Sequence, residues 1–120
     1  ISEVAETSIR AVISYLNIKI ELKRSSDCYH NRELKKADRI INICKLEGIP
    51  EYVNPMGGME IYSKEYFLKD GVHLSFQNPK ILPYQQLNNE FVPGLSIIDV
   101  LMFNSKETVV DHHLNSYTLL

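Results

Sequence analysis

The stretch that decides the fold is "YVNPMGGMEIYSKEYFLKDGVHLSF", which runs from Tyr52 to Phe76. Its first residues, Tyr52 to Asn54, are predicted to form a short strand. Ser63 to Lys69 follows as a short helix that its first residue can cap. After the turn at Asp70-Gly71, apolar and polar residues alternate from Val72 to Phe76, which predicts a second strand. A strand, a helix and a strand in this order predict a crossover unit with two parallel strands.

Upstream, helices and strands continue to alternate. Ser2 to Leu16 has apolar residues at helical spacing, and its first residue is a suitable N-cap. Ile18 to Lys23 alternates apolar and charged residues, which predicts a half-buried strand. After the polar loop Ser25 to Asn31, Glu33 to Glu47 predicts a helix that Gly48 ends.

The predicted fold class is therefore α/β, with a small, mainly parallel sheet of about three strands flanked by helices. Residues 1–120 are predicted to form one domain. The chain begins with Ile1 rather than methionine, which predicts that it is part of a longer protein.

Downstream, Asn78 to Gly94 shows no periodicity. So long an irregular segment is uncommon in a compact domain and is typical of a functional loop or of packing on a partner. Ser96 to Phe103 predicts a nearly all-apolar helix, which should be buried. Lys106 to Leu114 predicts a last amphipathic helix, so the chain ends in a helical segment.

Composition excludes some classes of function. Of the 120 residues 44% are apolar and 23% are charged, which is typical of a globular chain. The net charge of −2 argues against a nucleic-acid partner, because proteins that bind a duplex carry a basic surface. The longest apolar stretch, Ile97 to Phe103, contains Asp99 and is too short to span a bilayer, so no membrane partner is expected. Cys28 and Cys44 are too far apart for a C-x-x-C pair, and free thiols without a signal peptide predict a cytoplasmic protein.

Two constellations resemble chemical sites but have simpler explanations. Ser96 and Asp99 look like a reactive hydroxyl beside a carboxylate, yet S-x-x-D spacing ahead of an apolar helix is typical of a capping box. We therefore predict that Ser96 and Asp99 form a structural cap. His112 and His113 are adjacent, so on a helix they diverge by about 100° and cannot share a metal ion. Neither a metal site nor a cofactor is predicted.

The pair Gly57-Gly58 leaves two interpretations open. It fits neither G-x-G-x-x-G nor the Walker motif. Because it follows a strand and precedes a helix, its backbone N–H groups can meet an anion, but it can equally be a plain turn. Tyr84, Gln85 and Gln86 offer phenol and amide groups suited either to a sugar or base edge or to local backbone.

The order of these motifs resembles the C-terminal half of the WbqC-like family, and the resemblance covers nearly the whole chain. It is carried by "SYLNIKIELKRSS", "ADRIINICKLEGI", the stretch from Tyr52 to Phe76, and "PYQQLNNEFVPGLSIIDVLMFNS". The most specific part is Tyr84 to Asn104, because its tyrosine-glutamine, phenylalanine-valine-proline and leucine-serine-isoleucine-isoleucine-aspartate motifs occur in one fixed order. Asn17 replaces the usual glycine.

The family's N-terminal half is missing from this chain, which has none of that half's tryptophans. Any active site shared between the halves would be incomplete, so the fragment alone is expected to be inactive. The family pattern falls on several residues that we predict to bind substrate, namely Ser25, Ser26, Tyr52, Gly57, Gly58, Tyr62, Tyr84 and Gln85. The pattern also falls on Phe91, Ser96, Asp99 and Asn104.

The resemblance implies a role in the biosynthesis of bacterial O-antigen and other surface polysaccharides. The implied reaction is transfer of an acyl or aminoacyl group to an amino-sugar nucleotide, with a nucleotide sugar as the ligand, and no catalytic residue is implied. A second hypothesis belongs to a different class. In it the chain is a non-catalytic interaction module that docks on the missing N-terminal half, on another chain or on a second copy of itself.

Overall fold

A computed structural model of the chain describes residues 1–87 and 90–120. The chain folds as two compact units. The helical unit comprises Ile1–Lys23 and Ile81–Asn115, and the sheet unit comprises Arg24–Lys80 and Ser116–Leu120. That residues 1–120 are one domain of a longer protein stays a prediction.

The sheet unit contains three strands in the order β1 (Glu51–Pro55), β2 (His73–Pro79) and β3 (Tyr117–Leu119). β1 pairs with β2 in parallel, as the strand–helix–strand pattern predicts. β3 pairs with β2 in the antiparallel direction. The α/β fold class is confirmed, but the sheet is mixed, so "mainly parallel" holds only for the first pair.

The third strand is not the one that alternation predicts. Ile18 to Lys23 forms no strand, and Ile20 is 60% exposed. Alternation shows only that a segment can serve as a strand, and a strand also needs a partner for its backbone. The strand that pairs with the second edge of β2 is β3. With three residues, β3 is too short to show an alternation of apolar and polar residues.

Four helical segments complete the sheet unit. They are α2 (Ser25–Cys28), α3 (Lys36–Glu47), a 3₁₀ helix (Met56–Glu60) and α4 (Lys64–Leu68). α3 begins three residues later than predicted, and Gly48 ends it with a φ of 65°, the left-handed conformation that favours glycine. The Ser63 Oγ accepts a hydrogen bond from the Tyr66 N–H at 3.3 Å, so the predicted cap of α4 is confirmed.

The core of the sheet unit lies between one face of the sheet and helices α3 and α4. On β2, Leu74 and Phe76 are buried while His73 and Gln77 are exposed, as the alternation predicts. Cys44 is buried on α3 as a small core residue, and its burial raises the pKa of its thiol. The buried residues of this core are Ile41, Cys44, Phe67, Val72, Leu74 and Phe76.

The helical unit contains α1 (Ser2–Tyr15), α5 (Ile97–Phe103), α6 (Lys106–Thr108) and a π-helix (Val109–His113). The predicted amphipathic helix from Lys106 to Leu114 is therefore a short α-helix that widens into a π-helix. Ile1 rather than Ser2 occupies the N-cap of α1, and no side chain caps it. Asn78 and Pro79, which were predicted to begin the irregular segment, belong to β2 and pair with β3. From Lys80 to Gly94 the described residues form neither helix nor strand, as predicted, and residues 88–89 lie outside the description.

The prediction that α5 is buried is wrong. None of its residues is buried, and Ile98 and Met102 are 65% and 76% exposed. An all-apolar helix is buried only when other elements surround it. Of the helical unit's apolar residues, Leu16 and Val109 are buried, whereas every residue of α5 keeps part of its surface exposed. None of the helices in the described part of the chain has the length and apolar character needed to cross a membrane.

Candidate functional site

Gly57 and Gly58 lie in the 3₁₀ helix, directly after the carboxyl end of β1. Gly58 is buried, and a Cβ atom there would overlap the side-chain oxygen of Asn54. The Nδ2 of Asn54 donates to the Tyr52 hydroxyl at 2.7 Å. Gly58 thus allows Asn54 to lie against the backbone, whereas Gly57 is exposed with open space at its Cβ position.

The two tyrosines that flank the glycine pair meet on one buried ring. Tyr52 stacks on Phe67 with ring centroids 5.9 Å apart, and Tyr62 contacts Phe67 edge-on at 5.8 Å. Four of the sequence-predicted residues, Tyr52, Gly57, Gly58 and Tyr62, therefore lie in one region of the sheet unit. Packing in the core explains why glycine occurs at position 58 and why aromatic rings occur at Tyr52 and Tyr62.

Beside Tyr62 lies a cavity of about 420 Å³, which we call the tyrosine cavity. It opens where helices α3 and α4 begin. A second cavity of about 420 Å³ shares Ile61, Tyr62 and Ser63 with it. The residues that line the tyrosine cavity are Lys35, Lys36, Ala37, Asp38, Ile61, Tyr62, Ser63 and Tyr66.

A phenol and a carboxylate form a hydrogen bond in this cavity. The Tyr66 hydroxyl donates to the Asp38 Oδ1 at 2.6 Å. This bond raises the pKa of Tyr66, and the negative charge of Asp38 adds to the effect, because both favour the protonated phenol. A pocket that contains a titratable group with a shifted pKa beside a charged partner is a candidate binding site.

A hydroxyl and a carboxylate also pair at the start of α4. The Ser63 Oγ donates to the Glu65 Oε2 at 2.6 Å, and this bond lowers the pKa of Glu65. Ser63 therefore both caps α4 and holds an acidic side chain. Its hydroxyl lies on the wall that the two cavities share.

The other predicted residues of the sheet unit lie elsewhere in it. Ser25 and Ser26 form the first turn of α2 and are exposed. The Ser26 Oγ donates to the Asp27 Oδ1 at 2.8 Å, and neither serine lines the tyrosine cavity. The structure does not bring this serine pair together with Gly57 and Tyr62 on one cavity.

In the helical unit, the Asp99 carboxylate is the centre of a network that fixes the irregular segment to α5. The Tyr84 hydroxyl donates to the Asp99 Oδ2 at 2.5 Å, and the Gln86 Nε2 donates to the same oxygen at 3.0 Å. Gln86 also exchanges hydrogen bonds with the backbone of Val92 at 2.8 Å and 3.2 Å. The bond to Asp99 raises the pKa of Tyr84, since it favours the protonated phenol.

Ser96 and Asp99 play different parts in this unit. Ser96 is the N-cap of α5, where its Oγ accepts from the Ile98 N–H at 3.3 Å. Asp99 lies in the first turn but directs its carboxylate to the loop. The Tyr84 ring also packs edge-on against Phe91 at 5.2 Å and His113 at 5.5 Å.

The network includes Gln86, which lies beside the predicted Gln85. Tyr84 and Gln86 are partly buried, whereas Gln85 is exposed. Burial alternates along residues 81–87, so Tyr84 and Gln86 share the inner side. The residue types of this segment do not alternate, so the sequence carried no signal that favours Gln86 over Gln85. No sequence motif marks the other residues of the tyrosine cavity. Asp38 and its partner Tyr66 are 28 residues apart, so no local pattern connects them. The same holds for Lys35 and Lys36.

Metal ligation has no visible basis in the described residues. Within residues 1–87 and 90–120, no three side chains of His, Cys, Asp or Glu gather where they would hold a metal ion.

The structure thus defines a small α/β protein with a mixed three-stranded sheet and a cavity where helices α3 and α4 begin. The model of the WbqC-like protein family matches residues 1–111, and the chain belongs to that family. No match was found among curated proteins or among solved structures.

Proposed function

We propose that this WbqC-like protein takes part in modifying a nucleotide-activated sugar for a bacterial surface polysaccharide such as O-antigen. The most concrete reaction is transfer of an acyl or aminoacyl group to an amino-sugar nucleotide. Family membership supports the proposal, and the observation that carries it is the tyrosine cavity.

The position of the cavity supports ligand binding. Tyr62 and Ser63 follow the 3₁₀ helix that continues from the carboxyl end of β1, which is parallel to β2. Open α/β sheets usually bind ligands outside the carboxyl ends of their parallel strands. The volume of about 420 Å³ lies within the range of small-molecule pockets, about 300 to 1,000 Å³.

The chemistry of the cavity wall suits a sugar. Tyr62 and Tyr66 offer apolar ring faces, Ser63 offers a hydroxyl, and Asp38 offers a carboxylate acceptor. A sugar presents C–H faces and hydroxyls, so it needs this combination of flat apolar and polar groups. Exposed Gly57 keeps the neighbouring backbone open.

Isothermal titration of the full-length protein with nucleotide sugars tests the proposal. We expect one of them to bind and Tyr66→Phe to weaken that binding about fivefold, because it removes the hydroxyl that holds the Asp38 carboxylate in place, and one hydrogen bond contributes roughly 1 kcal/mol. Tyr15→Phe, in the helical unit, is the matched control and should leave binding unchanged. Failure of every nucleotide sugar to bind, at concentrations that saturate a typical enzyme, would contradict the proposal.

A second candidate function, a non-catalytic docking module, is favoured by the helical unit. A groove of about 490 Å³ between α1 and α5 is lined almost entirely by apolar side chains. Ile98 lines this groove and is 65% exposed, and Met102 lies one turn further along α5. An apolar surface of this kind is typical of a protein–protein contact.

A further inference from the structure

We propose that Lys35 and Lys36 form a phosphate subsite in the tyrosine cavity, which binds the diphosphate of a nucleotide-activated ligand. The identity of that ligand rests on the proposed function. The subsite itself rests on the charges and the walls of the cavity.

The cavity wall has a net positive charge. Lys35 and Lys36 contribute two positive charges and Asp38 one negative charge, which leaves a net charge of +1. The Asp38 Oδ1 already accepts a hydrogen bond from Tyr66. The whole chain has a net charge of −2, so the charge of this cavity is opposite in sign to that of the chain.

Neither lysine is neutralised by a neighbouring carboxylate in the described part of the chain. Other cations of this protein are paired there: Lys45 lies 2.6 Å from Asp70, and Arg10 lies 2.8 Å from Glu6. No ion pair involves Lys35 or Lys36 among the residues that the structure describes. Their ammonium groups are therefore available to a ligand anion.

Two lysines on the wall of one cavity suit a diphosphate better than a single carboxylate. Each lysine is a point charge with three donors, so each can serve an oxygen on a different phosphorus atom. The Ser63 hydroxyl on the same wall already donates to Glu65 and accepts from the Tyr66 N–H, so the two lysines are the donors of this subsite. The tyrosine rings leave room beside the lysines for an uncharged part of the ligand, such as a sugar.

Titration calorimetry with four probes tests the subsite: inorganic pyrophosphate, UDP, UDP-N-acetylglucosamine and free N-acetylglucosamine. We expect the three phosphorylated probes to bind the full-length protein, and Lys35→Gln with Lys36→Gln to weaken each by about tenfold or more. Lys69→Gln with Lys80→Gln removes the same charge elsewhere in the sheet unit and should change binding less than about twofold. Lys35→Arg with Lys36→Arg keeps the charge and should retain most of the affinity.

Several outcomes would overturn the subsite. It fails if pyrophosphate and UDP do not bind, or if both glutamine double variants weaken binding equally, since the effect is then nonspecific. It also fails if UDP-N-acetylglucosamine binds equally well without the two lysines, a result that leaves the proposed function standing. Binding of pyrophosphate alone, abolished only by the Lys35 and Lys36 changes, supports the subsite and counts against a nucleotide-sugar ligand.

Discussion

Gly57 and Gly58 are neighbours with the same chemistry, yet a Cβ atom would collide with a neighbouring side chain at only one of them. The Asn54 side chain occupies the space beside Gly58, where a Cβ atom would stand. Beside Gly57 that space is open. The sequence shows a glycine pair but cannot show this difference, because it depends on where Asn54 points.

Gly58→Ala should destabilise the protein by about 1–3 kcal/mol, the usual effect of overpacking a buried site. The new methyl group would displace Asn54 and break its hydrogen bond to Tyr52. Gly57→Ala is the matched control and should change the free energy of unfolding by no more than about 0.5 kcal/mol. Urea denaturation of the two variants measures the difference, and equal effects would contradict the packing argument.

The hydrogen bond between Tyr84 and Asp99 should make the stability of the folded chain depend on pH. The pKa of Tyr84 is raised in the folded chain, so its phenol stays protonated where an unfolded tyrosine, with a pKa of about 10, has ionised. The stability from this bond is therefore complete below about pH 10 and is lost as the pH rises through the raised pKa. Asp99→Asn should lower the pKa of Tyr84 towards its ordinary value.

Carbon NMR of ring-labelled tyrosine measures this change, with Tyr84→Phe to assign the resonance. Tyr66 serves as the internal control, since its raised pKa comes from Asp38 and should not respond to Asp99→Asn. A Tyr84 titration that is unchanged by Asp99→Asn would show that another group sets its pKa.

At the scale of elements, β3 determines the type of sheet. Phe76 and Leu120 exchange two backbone hydrogen bonds of 2.9 Å, and Gln77 faces Leu119 in the antiparallel register. These bonds occupy the edge of β2 that β1 leaves open. The last residues of the chain thus convert a parallel pair into a mixed sheet.

Removal of residues 117–120 should expose the Phe76 amide to solvent, because that N–H donates to the Leu120 carbonyl. Its hydrogen exchange, followed by NMR, should accelerate by at least about tenfold. The His73 N–H, which donates to the Pro50 carbonyl at 2.7 Å beside β1, should keep its protection and is the control. Equal loss of protection at both amides would indicate that the truncated chain unfolds as a whole.

At the scale of the whole molecule, the exposed apolar side chains of α5 are the feature that the docking function needs. If the chain docks on a second copy through α5, its apparent mass in light scattering should rise with concentration. Ile98→Glu with Met102→Glu should abolish that rise, because it places charges on the apolar face. Both side chains are exposed, so the variant should keep its fold.

The control for this experiment is Thr7→Glu with Ser14→Glu, which adds the same charge at exposed polar positions of α1. It should associate as the natural chain does. A natural chain that stays monomeric at every concentration would remove self-association from the docking hypothesis.

Some features of the candidate site can be predicted from local sequence patterns, and others cannot. The Ser63 cap of α4 follows from residues close in sequence. Lys35 and Asp38 meet Tyr62 and Tyr66 only because α3 and α4 begin beside the same cavity. No spacing in the sequence encodes that meeting, since it depends on how two helices pack on one sheet.

The sequence by itself determined the family, the α/β class, the parallel pair β1–β2 and the end of α3 at Gly48, because these depend on motif order, local periodicity and backbone preference. The tertiary structure decided that Ile18 to Lys23 is not a strand, that β3 completes the sheet and that α5 is exposed. It also decided that Asp99 binds Tyr84. Each of these depends on a partner distant in the chain, and the free energy of pairing or burial exists only when that partner is in place.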